Sequence, residues 1–167
     1  MSTATLEVTT PSDREIALIR VFNAPRKLVF DCFTKCELLK RWGLGPRAWA
    51  LTECKVDLRV GGAWRFVTTK NTGETMTMYG VFREVAAPER LVQTERFEQP
   101  WYPGEGLNTS TFLEEGGKTT MTIRCLYDSK ETRDTVLKSG MEGGASVAYD
   151  RLAELLPAFA AEMETAK

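Results

Sequence analysis

The chain has 167 residues, 43% of them hydrophobic and 27% charged, and its formal net charge is −1. This length predicts one domain with a hydrophobic core of its own. The near-neutral charge and the lack of any block of like charges argue against a nucleic-acid partner and against electrostatic attachment to a membrane.

The composition of the first residues is typical of a polar tail. Residues 1–14 predict a flexible segment ahead of a single domain over residues 15–167. Met1–Ser12 has neither a positively charged start nor a continuous apolar stretch. We therefore expect no secretion signal and a cytoplasmic location.

A strand and two short helices are predicted next. Glu15–Phe22 has apolar residues on both faces, which favours a strand buried on both sides. Asn23 can cap a helix whose first turn contains Pro25, and a second short helix is predicted over Cys36–Arg41. Leu44–Arg47 contains two helix breakers and is predicted to be a loop.

Alternating side chains and turn signals predict six further strands, over Trp49–Val56, Ala63–Thr69, Thr75–Val85, Arg90–Phe97, Thr109–Leu113 and Lys118–Tyr127. Gly80 lies inside the third of them, where a glycine marks a bulge or a close approach of backbone or ligand. The loop Gln99–Asn108 carries Trp101 and Tyr102 between prolines and glycines. This loop is predicted to be either a lid over a ligand or a contact between two copies of the chain. Ser129 is the predicted start of a capped helix.

The longest helical pattern lies at the end of the chain, over Gly143–Lys167. Its apolar residues recur at three- and four-residue steps and form one stripe, made of Ala145, Ala148, Leu152, Leu155, Leu156, Phe159 and Met163. Arg151 is expected to face solvent on the other side, and Pro157 predicts a kink near Ala153. A sheet with one apolar face needs a cover. The order of elements therefore predicts a curved antiparallel sheet closed over this helix.

The four cysteines, Cys32, Cys36, Cys54 and Cys125, have apolar neighbours. Because no export signal is predicted, we expect four reduced thiols that serve as small core residues. The sequence contains no histidine and no second cysteine pair at ligand spacing. It therefore predicts no metal site and no cofactor.

Two carboxylates, Glu53 and Glu95, share predicted strand faces with apolar residues and are the candidate catalytic residues. A carboxyl group in a dry cavity has a raised pKa and can act as an acid or a base. The alternative is that each lies at a strand edge or pairs with an arginine such as Arg65, Arg96 or Arg124. A slip of one residue in register would reverse either facing assignment.

A larger set of apolar and hydroxyl side chains is predicted to line a ligand pocket: Trp64, Phe66, Met76, Met78, Phe82, Thr94, Trp101, Thr111, Met121, Ile123 and Tyr149. Methionine and aromatic side chains suit a flat, apolar ligand, and a few hydroxyl groups can orient it. The alternative is a filled core made of the same residues.

Several short motifs resemble one known family when they are taken in order. They are Phe22-Asn23-Ala24-Pro25, Leu39-Lys40-Arg41-Trp42, the run from Asp57 to Phe66, Pro88-Glu89-Arg90-Leu91 and Tyr149-Asp150-Arg151-Leu152. Their order and spacing are similar to the SRPBCC (START-like) superfamily, in the branch named after the C-terminal domain of the activator of Hsp90 ATPase. The resemblance covers about Glu15–Leu156.

The resemblance implies an α+β helix-grip (START/Bet v 1-like) fold. In that fold a bent antiparallel sheet of about seven strands surrounds a long C-terminal helix, with two short helices after the first strand. A cavity lies between sheet and helix, so the resemblance favours the pocket over the filled core. Many members of the branch have a tryptophan after a glycine at the start of the last helix, where this chain has Ala145 after Gly144.

The partner that the resemblance implies is a hydrophobic small molecule, bound without chemistry. The first alternative is a hydrolase- or cyclase-like enzyme that uses a buried carboxylate. A second alternative is a stress-response or chaperone-interaction protein. A homodimer through the Trp101 loop is a further expectation.

Overall fold

The structure, a computed structural model, describes residues 5–43 and 48–165. Its strands are β1 (Glu7–Thr9), β2 (Glu15–Phe22), β3 (Trp49–Val56), β4 (Ala63–Lys70), β5 (Thr75–Ala86), β6 (Arg90–Phe97), β7 (Gly106–Glu115) and β8 (Lys118–Leu126). Its helices are α1 (Arg26–Thr34), α2 (Cys36–Trp42), α3 (Lys130–Leu137) and α4 (Met141–Thr165). The predicted loop Leu44–Arg47 lies outside the described residues.

The strands form one antiparallel sheet in the order β1-β2-β8-β7-β6-β5-β4-β3. This confirms the predicted α+β architecture, although the described residues contain eight strands rather than about seven. The additional strand is Glu7–Thr9, where Val8 pairs with Leu18 and packs against apolar neighbours. The prediction of a flexible tail over residues 1–14 is therefore wrong for this segment, because apolar contacts and backbone hydrogen bonds hold it on β2.

Helix α4 carries the predicted apolar stripe into the core. Leu152, Leu156 and Phe159 are almost completely buried, with exposed fractions of 0%, 2% and 1%. Leu155 is half-buried and packs against the same core. No helix among the described residues is long and apolar enough to cross a membrane.

Two charged residues fix α4 to its neighbours. Arg151 does not face solvent as predicted, because its guanidinium donates to the backbone carbonyls of Trp42 and Gly43. Those carbonyls close α2 and have no partner within that helix. Asp150 accepts a hydrogen bond of 2.7 Å from the buried guanidinium of Arg20 on β2. The polar side of α4 thus also holds the helix in position.

The expectation of four reduced thiols is wrong. Cys36 at the start of α2 and Cys54 in β3 form a disulfide, with their Cα atoms 5.6 Å apart. Cys32 and Cys125 are free and buried, as expected for small core residues. The two bonded cysteines are 18 residues apart in sequence, and only the packing of α2 on β3 brings them together.

Two register shifts decide which side chains face the core. One lies in the β3–β4 pair between Leu51 and Glu53, and the other in the β5–β6 pair between Phe82 and Glu84. A bulge adds one residue to a strand and so reverses the facing of the residues that follow it. In β3, Leu51 is buried before the shift and Cys54 packs on the core after it, so Glu53 faces away.

Gly80 marks a close approach of backbone, as predicted. A Cβ atom at this position would lie 1.9 Å from the carbonyl oxygen of Thr94, which no larger residue can avoid without moving the backbone. The indole Nε1 of Trp64 donates to the same carbonyl at 3.1 Å. The glycine therefore lets β5, β6 and a core tryptophan meet at one point.

Candidate functional site

A cavity of about 670 Å³ lies between the sheet and the first half of α4. Strands β2 to β8, helix α1 and the junction of α3 with α4 all contribute side chains to its wall. The wall is mostly apolar. Its volume falls in the range of about 300–1,000 Å³ that is usual for small-molecule sites.

The structure brings most of the predicted pocket residues together around this cavity. Those that line it are Trp64, Phe66, Met76, Met78, Trp101, Ile123 and Tyr149. The candidate carboxylate Glu95 lines it too. Most of these residues lie on regular stretches of strand, whereas Tyr149 lies on α4 and Trp101 on the predicted loop.

Four of the predicted residues do not line the cavity. Phe82 and Met121 are buried in the packed core, with exposed fractions of 3% and 0%. Thr94 is also buried, and its hydroxyl oxygen accepts a hydrogen bond from the backbone N–H of Val81 at 3.0 Å. Thr111 lies on the opposite face of β7 from the lining residues of that strand.

Glu53 does not belong to the site. Its carboxylate accepts a hydrogen bond from Nε of Arg65 at 3.2 Å, and both side chains are partly exposed. The bulge in β3 explains the difference from the predicted facing, because the count of alternating residues skips one position there. The alternative that the sequence left open, a carboxylate paired with arginine, is the correct one for Glu53.

Sequence reasoning missed a group of polar side chains beside Glu95, made of Gln93, Tyr102, Asn108, Ser110, Cys125 and Tyr127. Asn108 pairs with Gln93 across β6–β7 and with Cys125 across β7–β8. Paired residues on neighbouring strands face the same side of a sheet. Once Glu95 is placed inward, the same alternation carried across to β7 and β8 identifies the polar group.

Burial raises the pKa of Glu95 to about 7, because the loss of water disfavours the charged carboxylate. A hydrogen bond donated by the Asn108 side chain opposes this rise. Glu95 is the only aspartate, glutamate, lysine or arginine among the described residues that line the cavity. The carboxyl group therefore exchanges its proton near neutral pH with no fixed cation beside it.

The other titratable groups near Glu95 stay neutral at that pH. Burial and, to a smaller extent, the charge of Glu95 raise the pKa of the Cys125 thiol to about 12. Burial also raises the pKa of Tyr102, Tyr127 and Tyr149 above the ordinary value for a phenol, and the charge of Glu95 adds to each rise. Glu95 is thus the group of this cluster that can change charge between weakly acidic and weakly basic pH.

Two buried polar atoms in the cluster have no hydrogen-bond partner among the described residues, the hydroxyl of Tyr102 and Oδ1 of Asn108. Each lies 3.8 Å from the point where a Cβ atom would stand at Gly106, so both atoms lie beside this glycine. An unpaired buried polar atom is unfavourable by about 1–3 kcal/mol. Both atoms therefore favour a hydrogen-bonding group of a ligand.

The exposed lining residues mark the rim of the cavity. Trp101 is 41% exposed, and its ring centroid lies 4.9 Å from that of Tyr102 and 5.5 Å from that of Phe97. Gly140, at the α3–α4 junction, lies on the same rim with a φ of +87°, a conformation that favours glycine. The predicted loop therefore buries one aromatic ring in the polar cluster and leaves the other at the rim.

The family model described as activator of Hsp90 ATPase homolog 1-like protein (AHSA1-like) matches residues 23–157. The chain belongs to this family. The match confirms the branch predicted from the motifs, and it extends from the start of α1 into α4. No curated protein matches the chain.

Solved structures of bacterial proteins share the fold of this AHSA1-like chain. A protein from Rhodobacter sphaeroides is 29% identical, with a TM-score of 0.87, and the match covers 92% of this chain and 99% of that one. Proteins from Mycobacterium smegmatis and Nitrosomonas europaea are 27% and 26% identical, with TM-scores of 0.80 and 0.78. Those two matches cover 92% and 95% of this chain, and 97% and 100% of the relatives.

Proposed function

We propose that this AHSA1-like protein binds a hydrophobic small molecule in the cavity between the sheet and α4. The cavity itself carries the proposal, since it offers about 670 Å³ of space with a mostly apolar wall next to a densely packed core. Transfer of an apolar molecule from water to such a wall is favourable in proportion to the apolar area that is buried.

Small residues of α4 make room for such a ligand. Gly144 and Ala145 line the cavity where the helix passes over the sheet. A large side chain at Ala145 would occupy the space that the proposal gives to the ligand. This position therefore provides a direct test.

The test compares Ala145→Phe with Ala158→Phe, which makes the same change at an exposed position of the same helix. Binding of the neutral dye Nile red is measured by fluorescence, and native mass spectrometry of the purified wild type shows any co-purified small molecule. We expect the first variant to lose dye binding and the second to keep it. Equal binding by both variants, with a folded Ala145→Phe protein, would contradict the proposal.

A second function, catalysis on the bound molecule, is favoured by the placement of Glu95. A carboxyl group with a pKa of about 7 on a cavity wall is suited to general acid or base work. The released ligand would be incubated with wild type and with Glu95→Gln, and its mass followed over time. A change of mass with wild type alone supports an enzyme. An unchanged ligand in both samples supports a carrier.

A further inference from the structure

We infer that the hydrophobic ligand carries a cationic amine, which the polar cluster beside Glu95 binds. This inference rests on the proposed function and adds the chemical class of the ligand. Its basis is the set of hydrogen-bonding and charged groups that the cavity offers.

The first argument is charge. Glu95 is the only side chain bearing a formal charge in the described part of the cavity wall, and no lysine or arginine lines that wall. A carboxylate that has lost part of its water is unfavourable when no cation is near it, and a cation at contact distance offsets part of that penalty. A ligand with a carboxylate or phosphate group would instead meet a like charge.

The second argument is hydrogen bonding. The amide of Asn108 donates to Glu95, while its Oδ1 atom has no partner among the described residues. Oδ1 and the Glu95 carboxylate are both acceptors, and the Tyr102 hydroxyl can also accept. A protonated amine has only donors to offer, and up to three of them in a primary amine. The cluster and the amine are therefore complementary.

The third argument is the surrounding aromatic rings. The rings of Tyr102 and Tyr127 lie 5.6 Å apart at an interplanar angle of 89°, and those of Phe97 and Tyr102 lie 5.9 Å apart at 75°. All three line the cavity with Glu95. The faces of aromatic rings attract cations, and several rings around one point form the usual cage for an ammonium group.

The experiment uses three probes with one apolar body: naphthylmethylamine, naphthylmethanol and naphthoate. Their affinities for the wild-type protein are measured by isothermal titration calorimetry at about pH 8, where Glu95 carries its charge. We expect the amine to bind at least about tenfold more tightly than the alcohol, and naphthoate to bind most weakly. Equal affinities of amine and alcohol, or a preference for naphthoate, would overturn the inference and leave the proposed function standing.

Two variants test whether Glu95 causes the preference for the amine. Glu95→Gln preserves size and should lower the ratio of amine to alcohol affinity several-fold, because the charge is lost while the aromatic rings and Asn108 Oδ1 remain. Glu53→Gln removes the carboxylate outside the cavity and should keep the wild-type ratio. A Glu95→Gln protein that keeps the wild-type preference for the amine would refute the inference. If none of the probes binds to wild type, the proposed function fails and the inference fails with it.

A change of pH gives an independent readout. Between about pH 6 and pH 8 Glu95 loses its proton, while Tyr102, Cys125, Tyr127 and Tyr149 stay neutral. Affinity for the amine should therefore rise over this interval, and affinity for the alcohol should stay constant. An amine affinity that does not change with pH would contradict the role of Glu95.

Discussion

The two halves of α4 differ in how they pack on the same sheet. From Leu152 to Phe159 the helix buries large side chains at exposed fractions of 0–2% and closes a dense core with α1 and α2. Its first half lies over a cavity of about 670 Å³, to which it presents the small residues Gly144 and Ala145 beside Met141 and Tyr149.

The difference shows that side-chain size along one helix can divide a single interior into a packed half and a hollow half. The packed half supplies stability, because buried apolar area is the main favourable contribution to folding. The hollow half makes fewer packing contacts, and it contains the polar cluster around Glu95. Four experiments separate the two halves.

The largest effect is expected from breaking the packed half. Leu152→Ala removes a completely buried side chain, and we expect it to lower the free energy of unfolding by about 2–5 kcal/mol in urea denaturation. Glu154→Ala, on the exposed side of the same turn, is the control and should change it by less than about 0.5 kcal/mol. Equal losses would mean that the helix packs through another face.

Reduction of the Cys36–Cys54 disulfide loosens the same half, because it joins α2 to β3. For cysteines 18 residues apart, we expect reduction to lower the free energy of unfolding by about 3 kcal/mol. Thiol counting in denaturant without reductant should find two free thiols, those of Cys32 and Cys125. A count of four would show that the bond does not form in solution. Ligand affinity, a property of the hollow half, should change little.

Glu95→Gln tests the hollow half through the pH dependence of stability. The folded protein binds a proton at Glu95 more tightly than the unfolded chain, since the pKa rises from 4.5 to about 7. Below about pH 4.5 the Glu95 carboxyl is neutral and does not lower the free energy of unfolding. As the pH rises towards and through 7, the free energy of unfolding falls, because ionisation of this carboxyl favours the unfolded chain. This loss amounts to at most about 3 kcal/mol.

The Gln variant lacks this titration. Its free energy of unfolding should exceed that of wild type at about pH 8 and depend less on pH between about 5 and 8. Urea denaturation at several pH values measures both quantities. Parallel pH profiles of the two proteins would show that folding does not raise the pKa of Glu95.

The smallest effect is expected at the rim. Trp101 is partly exposed, and a bound ligand should move it into drier surroundings, so that tryptophan emission shifts to the blue. Trp101→Phe should bind the same ligand with a smaller shift, which then comes from Trp49 and Trp64 on the cavity wall. Emission that changes with protein concentration alone, before any ligand is added, would identify the loop as a contact between two copies of the chain.

The sequence was sufficient for the features that depend on periodicity. The apolar stripe of α4 and the alternation of Gln93, Glu95 and Phe97 in β6 both follow from regular spacing, and both face the interior. The helix cap at Ser129 follows from local chemistry, and its side chain accepts a hydrogen bond from the backbone N–H of Thr132. The curved antiparallel sheet over α4 was predicted from the order of elements, and the fold implied by the family resemblance agrees with it.

The features that depend on tertiary contact could not be predicted. Glu53 and Glu95 have the same sequence pattern. A single extra residue in β3 turns Glu53 away from the cavity, whereas Glu95 lines it. The partner of Cys36 lies 18 residues away, and Arg151 closes a helix more than 100 residues earlier. No local pattern encodes such pairs, because they exist only when distant elements have packed.

The Trp101 loop and the α3–α4 junction form the rim at one end of the interior, whereas the residues that anchor α4 lie towards its other end. If the proposed ligand binds, we expect it to exchange by local opening at the rim, without release of the helix from the core. We then expect motion of the loop, and not the unfolding rate, to set its residence time. A variant such as Leu152→Ala, although less stable, should release its ligand as slowly as the wild type.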